Sequence, residues 1–112
     1  MAAATVIPTA NGQTKGGIEM ATLSENEIRA RLGEVPGWDL ADKTLVRKLT
    51  LPSFPAAVAF VVKLAFTAEA ADHHPDILIN YRRVTLTLWT HTEGGITEKD
   101  LALAKEINAL GA

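Results

Sequence analysis

The sequence predicts an α+β fold: a four-stranded antiparallel sheet with three helices on one face, in the order α-β-β-α-β-β-α. The prediction rests on two patterns. Ser24, Ser53 and Thr97 each head a segment with helical character, as a hydroxyl N-cap would. Between these segments lie two pairs of short strand-like runs, each pair joined by a short polar turn, which favours hairpins and an antiparallel sheet over a parallel one.

The first helix is predicted over about residues 25–33. Ser24-Glu-Asn-Glu27 forms a capping box, Leu23 can staple onto Ile28, and Gly33 and Pro36 stop the helix. Gly37-Trp38-Asp39-Leu40 begins a strand, Ala41-Asp42-Lys43 reads as a turn, and Thr44-Leu45-Val46-Arg47-Lys48-Leu49 returns. Pro52-Ser53-Phe54-Pro55 opens the second helix, with Pro55 tolerated in its first turn. From Phe54 to Thr67 the only charged residue is Lys63. The helix is too short and too interrupted for a membrane span. A domain of this size has few layers to cover both sides of such a helix, so one face belongs on the sheet and the other on a second subunit.

Pro75 disfavours helical geometry at His74, so the helix ends before it. Ile77-Leu-Ile-Asn-Tyr81 is the third strand and Arg82-Arg83 a solvated turn. In the fourth, Val84 to His91, Val84, Leu86 and Leu88 point one way and Thr85, Thr87, Trp89 and His91 the other. Gly94-Gly95 breaks it. Thr97-Glu-Lys-Asp100 caps the last helix, with Leu101, Ala104, Ile107 or Asn108, and Leu110 near one stripe and Gly111 at the end.

At 112 residues with 47% apolar content, the chain is one small domain. Residues 1–22 read as a flexible leader containing Gly12, Gly16 and Gly17, either an optional tail or an addition, since Met20-Ala-Thr-Leu resembles a second start; the folded domain is 23–112. A net charge of −2, with lysines and arginines scattered along the chain, argues against nucleic-acid or acidic-membrane binding. No cysteine is present, which excludes thiolate nucleophiles, disulfides and cysteine-based zinc sites and weakly suits the cytoplasm.

All three histidines, His73, His74 and His91, fall within nineteen residues, the first two inside Glu69-Ala-Ala-Asp-His-His-Pro75. Imidazole titrates nearest neutral pH, so this cluster is the candidate for acid–base chemistry. Solvated surface histidines are the commoner reading of such a pair. A zinc site is disfavoured, because adjacent helical residues diverge by about 100°. A helix end and a strand end can bring His73, His74 and His91 around one pocket. Glu69 and Asp72 can set imidazole tautomers or hold a polar ligand, although Glu69 also suits a solvated helix position. Trp38 and Trp89 can wall a flat ligand or belong to core or interface.

The spacing Glu69-x-x-x-His73-His74-Pro75, then Tyr81-x-x-Val84-x-Leu86-x-Leu88-x-Thr90-His91, then Gly95-Ile96-Thr97-x-x-Asp100-x-x-Leu103-Ala104 closely resembles pterin-4a-carbinolamine dehydratase. With Gly37-Trp38 upstream, the resemblance covers roughly residues 24–108. It implies a hydro-lyase that dehydrates 4a-hydroxytetrahydrobiopterin to quinonoid dihydropterin during tetrahydropterin recycling, with an aromatic amino acid hydroxylase as functional partner. It implies no metal and no organic cofactor, the pterin being the substrate. The family's catalytic histidines fall on His73, His74 and His91, and its substrate contacts on Asp72-His73-His74 and Trp89-Thr90-His91. Glu69, Trp38 and Asp100 would support them from behind. The resemblance also implies homodimers or homotetramers built through the helix around residues 54–71. Ile77 stands where tryptophan is usual, and Trp89 where a small residue is usual. Relatives of the family also act as non-catalytic scaffolds, in transcription-factor dimerisation or Rubisco assembly, which is the alternative role.

Overall fold

A computed structural model of the chain describes residues 21–111. The leader expected over 1–22 lies, for residues 1–20, outside them. Three α-helices, α1 (Glu25–Arg31), α2 (Phe54–Ala71) and α3 (Glu98–Ala109), pack with four strands, β1 (Trp38–Ala41), β2 (Thr44–Thr50), β3 (Asp76–Asn80) and β4 (Arg83–Leu88). The element order and the antiparallel sheet, ordered β1-β2-β4-β3, are as predicted.

Each helix starts where its hydroxyl was read. Ser24 and Thr97 close capping boxes with Glu27 and Asp100, and Ser53 Oγ accepts from the Ala56 N–H. α1 ends earlier than expected, at Arg31, and a 3₁₀ turn over Leu32–Glu34 carries the chain on. Gly37, at φ 89°, reverses the chain into β1 beside the Arg47 guanidinium, a conformation that favours glycine.

The register places Leu45 opposite Leu88, Arg47 opposite Leu86 and Leu49 opposite Val84. These residues share the inner face with Ile77 and Ile79 of β3 and Trp38 and Leu40 of β1. Against them pack Ile28 of α1, Ala57, Phe60, Leu64 and Ala68 of α2, and Leu101, Leu103, Ala104 and Ile107 of α3. Each large aliphatic side chain so buried contributes roughly 1.5–3 kcal/mol. Among the described residues, Arg47 is the one cation on this face. Burial pushes its guanidinium below the ordinary value, and Asn108 Oδ1 accepts from both Arg47 Nη1 and, at 2.9 Å, Trp38 Nε1. Asn108 Nδ2 donates to the Pro36 carbonyl, so Asn108 belongs to a polar bridge and Ile107 to the core.

Two further expectations shift. The β3–β4 hairpin turns on Tyr81-Arg82 rather than Arg82-Arg83: Asn80 pairs with Arg83, and Tyr81 adopts φ 58°. β4 ends at Leu88 rather than His91, because its neighbours run out, Leu45 of β2 pairing with Leu88 and Asp76 of β3 with Thr87. Contrary to the expectation from sequence, α2 is long and apolar enough to cross a membrane by length and composition alone, but its Ala57, Phe60, Leu64 and Ala68 stripe packs on the sheet. On its other side, Phe54, Val58, Val62 and Phe66 remain exposed along one i, i+4 ridge.

Candidate active site

The end of α2 builds the first half of the site. Asp72 adopts the left-handed conformation (φ 50°, ψ 43°), its N–H donating to the Glu69 carbonyl and the His73 N–H to the Ala68 carbonyl, a Schellman closure. The reversal at Asp72 and the extended path toward Pro75 point consecutive imidazoles differently: His73 is buried and His74 exposed.

The second half follows β4. Beyond Leu88 the chain stays extended long enough to turn Thr90 inward and leave Trp89 and His91 on the other side. Thr90 bridges to Gly95, and residues 91–94 form the intervening turn, with Gly94 at φ 72°. His91 is thus the first residue of a turn, not the end of a strand. Its imidazole stacks on the Trp89 indole, ring centroids 4.0 Å apart and planes 28° from parallel.

The two halves enclose an open cavity of about 400 Å³ lined by Asp72, His73, His74, Trp89, Thr90, His91, Thr92 and Lys99. All three histidines therefore meet at one concavity, together with Asp72, Trp89 and Thr90, the other residues that the resemblance marks as expected substrate contacts. Two supporting residues lie behind it. Glu69 Oε1 is 2.9 Å from His74 Nε2, in a pair open to solvent. Asp100, fully buried, sets Oδ1 2.5 Å from His73 Nε2. Its Oδ2 accepts from the Thr90 hydroxyl at 2.8 Å and the Thr97 N–H at 2.9 Å. Trp38 is not among the lining residues; it is core, tied to Asn108.

The two buried threonine hydroxyls have one consistent arrangement of protons. The single Thr90 proton goes to Asp100, so the Thr97 hydroxyl donates to Thr90 Oγ1 across 2.8 Å while accepting the Lys99 N–H. Both donors fall on Oδ2, which leaves Oδ1 free to pair with His73 Nε2.

Sequence reasoning missed Lys99, Thr92 and Thr97 as parts of this assembly. Lys99 is legible only as a helix-start residue and Thr97 as a cap within the motif, and the turn at 91–94 that carries Thr92 reads as strand and breaker. Asp100 was legible through its motif position, but its reach to His73, 27 residues away, has no periodic signature.

A family model for pterin 4 alpha carbinolamine dehydratase matches residues 21–110. A relative from Roseiflexus sp. (strain RS-1), provisionally named a pterin-4-alpha-carbinolamine dehydratase, is 53% identical over 92 residues, covering 81% of this chain and 99% of its own. A similarly named protein of Chloroflexus aurantiacus (strain ATCC 29366 / DSM 635 / J-10-fl) is 54% identical over 91 residues, covering 81% and 98%. Among solved structures, a transcriptional coactivator/pterin dehydratase from Brucella melitensis superposes with a TM-score of 0.76 at 35% identity, covering 81% of this chain and 99% of that one. A pterin dehydratase-like protein described as a RuBisCO assembly factor in the alpha-carboxysome gives 0.58 at 26% identity, covering 70% and 94%. With the match running from before α1 to the end of α3, the chain belongs to the pterin 4 alpha carbinolamine dehydratase family.

Proposed function

We propose that the protein dehydrates a 4a-hydroxytetrahydropterin, 4a-hydroxytetrahydrobiopterin in the first instance, to the quinonoid dihydropterin by histidine acid–base catalysis. The observation that carries this reading is the convergence of His73, His74 and His91 on a cavity of about 400 Å³, within the range of small-molecule sites. The reaction breaks the C4a–O bond. A proton from one imidazole leaves with the 4a-hydroxyl as water, the N5 proton passes to a base, and the N5 electrons form the C4a=N5 bond. Each positioned acid or base contributes about 10²- to 10⁴-fold.

His73 and His74 act on the hydroxyl side, and His91 assists and orients the ring. Asp100 holds the His73 Nε2 proton, which makes Nδ1 the nitrogen available for exchange with substrate. Glu69 steadies His74. Asp72 and Thr90 offer an acceptor and a hydroxyl to the polar edge of the pterin. The residues need no metal or organic cofactor for this step. The reaction serves tetrahydropterin recycling beside an aromatic amino acid hydroxylase, in the cytoplasm. The exposed Phe54, Val58, Val62 and Phe66 ridge suits association with a second copy, as a homodimer or homotetramer, by interlocking of i±4 ridges.

The test is direct. A hydroxylase generates the 4a-carbinolamine, and its decay is followed spectrophotometrically with and without this protein. Faster decay is expected; an unchanged rate would overturn the reading. A binding role without catalysis is the second reading, supported by the same ridge and by the coactivator and assembly-factor descriptions of the two structural neighbours.

A further inference from the structure

We propose that Trp89 is a positioning residue for His91, its indole face fixing the imidazole at the mouth of the cavity; this rests on the dehydratase reading above. His91 opens a four-residue turn and is exposed, and an exposed side chain on a turn ordinarily samples several rotamers. Here it does not stand alone. Trp89 and His91 flank the inward-pointing Thr90, so the extended backbone places both rings on the same side, two residues apart. Their centroids lie 4.0 Å apart with planes 28° from parallel, close enough for face-to-face contact.

The backbone that carries the indole is anchored at Thr90. Thr90 is held by its N–H to the Gly95 carbonyl at 2.8 Å and by its hydroxyl to Asp100, so the backbone on either side of it is fixed. The rigid network that orients His73 from beneath therefore also sets the platform on which His91 rests. His73 is oriented by a carboxylate and His91 by an aromatic face. Both rings of the stack line the cavity.

The role differs from that of a simple wall. A wall would act on substrate affinity and appear in KM. A residue that holds His91 in its reactive orientation acts on the chemical step. Releasing one ordered side chain lowers kcat by roughly 3- to 10-fold while leaving KM within about twofold.

Two measurements test it. The first reads the stack without substrate. His91 ring-proton resonances, assigned by their loss in H91N, are expected upfield in the wild type and in W89F and shifted downfield in W89L. Resonances that do not move in W89L would overturn the stack. The second is the carbinolamine decay assay on the same proteins. W89L is expected to lose kcat with KM nearly unchanged, and W89F to recover it. A W89L protein with full kcat, or one that changes only KM, would overturn the positioning role. An inactive wild type would instead defeat the dehydratase reading and this role with it, while the resonance shifts would still report the stack.

Discussion

Asp100→Asn separates the two tasks of the buried carboxylate. Asn is nearly isosteric with Asp, and Oδ2 already takes two donors, the Thr90 hydroxyl and the Thr97 N–H. The amide oxygen must occupy that side, which turns the NH₂ toward His73 Nε2, now only 2.5 Å from an oxygen. Two donors cannot share that contact, so Nε2 gives up its proton and Nδ1 takes it. His73 then presents a proton where substrate needs a base, or the reverse, and dehydration should fall by about 10²- to 10⁴-fold, the worth of one positioned acid or base. Stability should change little. A charge-assisted bond becomes a neutral one, a loss of about 1–2 kcal/mol. Asp100→Ala, by contrast, leaves Thr90 and Thr97 with unpaired buried donors and should cost about 3–5 kcal/mol. Carbinolamine decay, thermal unfolding and the ¹⁵N shifts of the His73 ring test these together. Asp100→Asn with wild-type turnover and a proton still on Nε2 would refute the reasoning.

Further outcomes can be measured alongside. His74→Ala should fold normally, since the side chain is largely exposed, and lose about 10²-fold or more in dehydration; full activity would remove His74 from the chemistry. Phe66→Asp puts a charge on the residue of the α2 ridge that is 75% exposed, and light scattering at low concentration should show monomers where the wild type stays associated, with an unchanged far-UV CD spectrum. Asp72→Gly relieves a non-glycine left-handed residue, worth about 1 kcal/mol, so the melting temperature should hold or rise while turnover falls; a lower melting temperature would contradict this account of the α2 terminus. The Ser24 N–H holds the Glu27 carboxyl below its ordinary 4.5, and Arg31, then Lys105, do the same for Glu34. Depressed carboxyls stabilise above the unfolded value and lose that effect as pH falls through the folded one. Urea midpoints should therefore drop below about pH 4.5, and less steeply in a Glu27→Gln, Glu34→Gln variant; equal slopes would argue against these contacts.

The fold was largely legible because its signals are local. Ser24, Ser53 and Thr97 announce helix starts through hydroxyls that meet N–H groups within three residues. The alternation of Val84, Leu86 and Leu88 announces a half-buried strand. What escaped depends on partners distant in sequence or on conformations the residue type does not advertise. Tyr81 carries a positive φ that glycine or asparagine would have signalled, so the hairpin turn was displaced by one residue. The end of β4 is set by where β2 and β3 stop pairing, which no pattern within β4 records. Trp38 could be read as ligand wall or core, and the choice depended on Asn108, 70 residues later. The site was visible as a composition of imidazoles and carboxylates. Its wiring, above all Asp100 to His73, was not.

The dual employment of Asp100 has a consequence for how such chains diverge. A lineage that abandoned the chemistry and survived as a binding protein would still need this aspartate to begin its last helix, together with the threonines it grips. The solvent-facing imidazoles carry no such obligation to the fold and would be free to drift first. A variant's thermal robustness would thus guard the buried half of the reaction centre without any selection on turnover, leaving His74 and His91 as the positions whose loss records retirement from catalysis.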